Sequence, residues 1–108
     1  MSTPLTPLEK AVLRVVADRN WPEFQVEQVD VARREHTGVG RYTHLVDHAE
    51  QPIPDGSYGV DARFIEMEGV PGGLFFVVEV AHSRVAYIEI VSSGPDTWDG
   101  VERPWKIV

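Results

Sequence analysis

Two apolar runs, LFFVVEV at 74–80 and VAYIEIV at 85–91, are separated only by AHSR. That spacing predicts a long antiparallel hairpin turning at His82-Ser83. Successive side chains on a strand alternate between faces, and here both faces of both strands are apolar. In the first run Phe75 and Val77 share one face, with Leu74, Phe76, Val78 and Val80 on the other. In the second, Ala86, Ile88 and Ile90 lie back to back with Val85, Tyr87 and Val91. A fold built on this hairpin has two greasy sides to cover.

The rest of the chain offers little cover. TPLE at 6–9 reads as a capping box, with Thr6 as N-cap, Pro7 at the first helical position and Glu9 reaching back. Leu8, Val12, Val15 and Val16 then make one apolar stripe, with Leu5 as a staple, while Glu9, Lys10, Arg14 and Asp18 take the polar side. Pro22 disfavours helix in the residue before it, so the helix should stop near Asn20. Beyond Trp21 the pattern is mainly strand: FQVEQVDVARREH (whose first half also fits a helix), RYTHLV, VDARFIEME and the hairpin. QPIPDGSYG at 51–59 reads as loop. The expected fold is α+β, one N-terminal amphipathic helix packed on a mainly antiparallel sheet of about five strands. With 108 residues it is one domain, 1–108, with 94–108 as an irregular tail that pins Trp98 or Trp105 against the body.

Composition narrows the function classes. The net charge of −7 disfavours nucleic acid, whose binding draws on neutralised phosphates. It suits a basic protein partner. Without cysteine there is no disulfide and no thiolate chemistry. The start, MSTPLTPLEK, lacks the pattern of a signal peptide, and no apolar run approaches the roughly 18 residues of a membrane span. The expectation is a soluble, cytoplasmic protein without membrane contact.

HTGVGRYTH at 36–44 is the one motif-like cluster. Gly38 and Gly40 stand one residue apart with no lysine after them, which excludes a P-loop; a dinucleotide fingerprint needs glycine where Thr43 stands. The glycines read as the corner of a hairpin. The helix, TGVGRYT, the later GVPGG before an apolar strand and YIEI after it together resemble a family of small bacterial proteins of unknown function. The resemblance covers about residues 5–100. It implies the fold and a bacterial origin, and departs at Arg41, where an aromatic is expected. It implies no activity and no site residue.

No residue set reads as catalytic, as a metal site or as a cofactor site. His44 and His48 on one strand lie about 13 Å apart, too far to share an ion. His36 and His82 fall at turns without a triad around them. Glu79 and Glu89 interrupt the two most apolar strands. With Val80 opposite Val85 they fall on opposite faces, and with the register slipped by one they lie about 13 Å apart, so they fail as an acid–base couple. Glu79 is then expected on the solvent face and Glu89 paired with Arg63 or Arg41.

Two readings of function follow. The first is a non-enzymatic acidic interaction protein that forms a homodimer through its sheet, with Phe75, Phe76, Val78, Tyr87 and Ile88 in the interface. In the second, a curled sheet and the helix enclose a small-ligand or modest enzymatic pocket, with Tyr42, Arg63, Tyr87 and Glu89 as its polar groups.

Overall fold

Thr6 opens the helix as its chemistry requires. Its hydroxyl accepts the Glu9 backbone N–H at 3.1 Å, and the Glu9 carboxylate accepts the Thr6 backbone N–H at 2.9 Å, completing the capping box. Helix α1 then runs over Pro7–Asn20. It buries Leu8, Val12, Leu13, Val16 and Ala17 against the sheet. Glu9, expected on the polar side, is fully buried with them.

The computed structural model describes residues 3–59 and 63–108. Among these, eight strands form one sheet instead of the five expected: β1 (Thr3–Pro4), β2 (Val29–His36), β3 (Gly40–Asp47), β4 (Gly56–Tyr58), β5 (Ile65–Met67), β6 (Val70–Ala81), β7 (Arg84–Ser92) and β8 (Trp105–Ile107). The order is β1-β2-β3-β7-β6-β5-β8, with β4 also paired to β6. Every pairing is antiparallel. The fold class is α+β, as expected. The extra strands are two or three residues long, too short to show an alternation. Thus QPIPDGSYG contributes β4, the described part of VDARFIEME contributes only β5, and the tail ends as β8 on β5 instead of staying irregular.

The hairpin turns where expected. His82 and Ser83 both have positive φ, 54° and 64°, as a two-residue turn of the hairpin hand demands. The Asp55 carboxylate accepts the Ser83 N–H at 2.7 Å and the Ser83 carbonyl accepts the Ile53 N–H at 2.9 Å, which holds the turn. Val80 does lie opposite Val85. One step later the register shifts, and Glu79 pairs with Tyr87, leaving Ala86 as the extra residue of a β-bulge. From there Val77 pairs with Glu89 and Phe75 with Val91.

TGVG is a hairpin corner between β2 and β3. Gly38 takes φ +86° with open space around it. Gly40 is needed for a different reason: a Cβ there would sit 2.5 Å from the Ile90 carbonyl oxygen of β7. Gly40→Ala is therefore expected to push β3 from β7 and lose about 1–3 kcal/mol of stability. Gly38→Asn should lose well under about 1 kcal/mol, since asparagine tolerates positive φ. Urea titration of the two variants measures the contrast; equal losses would mean that the corner and not the close approach requires glycine.

Helix and tail cover the same side of the sheet. Trp98 is buried beside Arg41, its ring 5.2 Å from the guanidinium carbon, and its Nε1–H donates to the Val101 carbonyl at 2.8 Å. Glu102 accepts the Thr6 hydroxyl at 2.6 Å, next to the helix N-terminus. Trp21 sits elsewhere in the same core, with ring centroids 5.6 Å from Phe24 and 4.8 Å from Tyr58. Between helix and sheet the space is filled by Leu8, Val12, Leu13, Phe76, Val78, Ile88 and Ile90, all essentially without solvent contact. No helix among the described residues is long and apolar enough to cross a membrane.

Candidate functional site

The register lays out what the opposite, open face of the sheet carries. One cross-strand row reads Arg33, His44, Tyr87, Glu79 and Ser57 across β2, β3, β7, β6 and β4. The next reads Glu35, Tyr42, Glu89 and Val77, and the third begins at Gly40 and continues through Val91 and Phe75. Phe75 is 46% exposed. Phe64 exchanges backbone hydrogen bonds with Val108 at the adjoining edge, and since Ile65 faces the core, Phe64 turns to the open side. Both are also exposed and extend the apolar end of the face. The interior side of the same strands is the core.

At the centre stand three aromatic rings. Tyr42 and Tyr87 meet edge to face with centroids 5.3 Å apart; His44 lies 6.5 Å from Tyr42 and 5.9 Å from Tyr87. Carboxylates surround them. Glu35 is held by Arg33 at 2.7 Å and His44 at 2.6 Å, and these two partners, His44 first, keep its carboxyl below the usual range. Glu79 takes a short hydrogen bond from the Ser57 hydroxyl. A hydrogen bond to Glu89, and then its charge, raise the pKa of the Tyr42 hydroxyl. Tyr87 is raised by burial first and then by the charges of Glu79 and Glu89, between which it sits. Among the described residues neither Glu79 nor Glu89 has a cationic partner.

Several expectations are corrected here. The Ala86 bulge puts Glu79 and Glu89 on one face, as diagonal neighbours at about 7–8 Å, where an unbroken ladder would have separated them. Glu89 is not paired with Arg41, which is buried on the helix side, nor with Arg63. Of the proposed ligand set, Tyr42, Tyr87 and Glu89 come together on the open face. Arg63 does not join them. It lines a cleft of about 710 Å³ between the last turn of α1 and β4, bordered by Asp18, Tyr58 and Phe76. Of the proposed interface, Phe75 and Tyr87 are on the open face, while Phe76, Val78 and Ile88 are sealed in the core at 1% exposure or less. His44 and His48 are apart, bonded to Glu35 and Asp30 respectively, and the described residues contain no cluster able to hold a metal.

One constellation escaped the sequence altogether. The buried Glu9 carboxylate accepts from Arg34 at 2.7 and 2.9 Å and from the Thr43 hydroxyl at 2.7 Å, and pairs with Arg41 at 2.9 Å. Arg41, only 4% exposed, also pairs with Glu102 at 2.7 Å and donates to the Gly100 carbonyl at 2.9 Å. Burial raises the Glu9 pKa; the bonds from Arg34, Thr6 and Thr43 and the charge of Arg41 outweigh it and hold the carboxyl at about 2. The network ties helix, sheet and tail together on the covered side, with Glu9, Arg41 and Thr43 buried and Arg34 and Glu102 partly open to solvent.

No protein-family model, curated protein or solved structure matches the chain, so its function is argued from this geometry.

Proposed function

We propose that the chain is a non-enzymatic interaction domain that docks another protein surface on the open face of its sheet. One observation carries this reading: helix and tail lie on the same side, so Phe75, Val77, Val91, Tyr42 and Tyr87 share a face that neither of them covers. Exposed apolar area gathered on one face favours association by the hydrophobic effect. The polar groups support the same reading, because Glu79 and Glu89 stand on an open sheet, away from the clefts lined by Arg63 and by Trp21. Such a face admits a second copy of the chain or a different protein.

A photo-crosslinking amino acid at position 75, compared with one at the exposed helix position 14, tests the reading in the native cell. A discrete adduct is expected from position 75 and none from position 14, and its mass tells a second copy from a different protein. No adduct at 75, or equal adducts at both positions, would overturn the proposal.

A further inference from the structure

The charges on the open face point to a particular occupant. We infer that the face receives a basic segment of another protein, with an arginine or lysine side chain seated on Tyr42 and Tyr87 between Glu79 and Glu89, and an apolar side chain of the same segment on Phe75, Val77 and Val91. This rests on the open face being a docking surface.

Charge complementarity carries the choice. Arg33 is the one cation in the three cross-strand rows, and Glu35 already holds it at 2.7 Å. Glu79 and Glu89 are left without a cation among the described residues, diagonal to each other across the hairpin. A two-fold related copy would bring the same two carboxylates toward an identically charged face on a chain of net charge −7. A basic segment removes that repulsion. The rings supply the second half of the recognition: Tyr42 and Tyr87, edge to face and half-buried, set aromatic surface beside the carboxylates, and such a setting holds guanidinium better than ammonium because guanidinium both stacks and forms paired hydrogen bonds. Side chains of an extended segment alternate, so cation and apolar anchor two residues apart on it reach neighbouring rows of the sheet.

The probe is a short capped peptide of alternating arginine and valine, with counterparts carrying serine or glutamate in place of arginine. Binding is followed by amide and aromatic NMR shifts in the full chain. The arginine peptide is expected to shift Tyr42, Tyr87, Val77 and Phe75 and to bind about tenfold more tightly than the serine peptide, with the glutamate peptide weakest. The double variant E79Q/E89Q should erase the preference for arginine, whereas F75S should weaken the arginine and serine peptides alike. Both variants lie on the surface, and their amide spectra report whether the fold persists.

Equal binding of arginine and serine peptides, abolished by F75S, would sink the cation subsite and leave the docking face standing. A dimer in sedimentation that F75S dissociates would make a second copy the occupant and overturn the inference. Peptide shifts confined to other surfaces would sink inference and docking face together.

Discussion

Arg41→Met is expected to lower the unfolding free energy by about 3–5 kcal/mol at neutral pH. The guanidinium is nearly sealed from water and bridges Glu9 at 2.9 Å to Glu102 at 2.7 Å. Removing it leaves one buried carboxylate short of a cation and sets a second beside it. It also strips the Gly100 carbonyl of its donor and the Trp98 ring of its stacked cation. Breaking a buried pair on one side is far more damaging than never having built it, because the surviving charge keeps its desolvation penalty. Hence Arg41→Met combined with Glu102→Leu should recover part of the loss, since Glu9 keeps Arg34 as its cation. Arg33→Met, at an exposed pair, should change stability by less than about 1 kcal/mol. Chemical denaturation of the four proteins gives the comparison. A loss below about 1 kcal/mol for Arg41→Met would show that the network is incidental to the fold.

Acid should reach the same network through Glu9. Its carboxyl is held at about 2 against 4.5 for an unperturbed glutamate. The folded protein therefore binds this proton more weakly than the unfolded chain. The stability contributed is present above pH 4.5 and drains away as pH falls through 2, below which both states are protonated. A shift of this size is worth about 3 kcal/mol. Stability measured against pH in wild type and Glu9→Gln should differ by that order at neutral pH, and the two curves should converge between pH 4.5 and 2. Parallel curves through that range would mean that Glu9 is not the group that titrates.

The helix and the long hairpin were legible because their signals are local. Thr6, Pro7 and Glu9 state the helix start within four residues, and alternation states the hairpin. The bulge at Ala86 was not legible, since an extra residue in a ladder leaves no compositional mark, yet it decides which face Glu89 shares. Glu9 was misassigned for a related reason. Its place in the capping box is written beside it, while its charge partners Arg34 and Arg41 arrive from strands far along the chain. Parity held the one available clue: Arg41 alternates with Thr43 and Leu45, and an arginine on a face that also carries leucine requires an acid. Strands β1, β4 and β8 were missed because two or three residues cannot show a period. The separation of the interface set into exposed Phe75 and buried Phe76 follows once it is known that the tail joins the helix on one side, which no local pattern says.

The bond between Thr6 and Glu102 spans 96 residues. Closing a loop of that length early in folding is entropically unfavourable, and chains dominated by such distant pairings fold slowly. During synthesis the helix, β2 and β3 emerge well before Trp98 and Glu102 do. Until residue 102 clears the ribosome, Arg41 has only half of its acids and no indole beneath it. The nascent chain thus holds a charged interior open to water until Glu102 arrives, and since β7 ends only at Ser92 the hairpin and the tail reach that interior almost together.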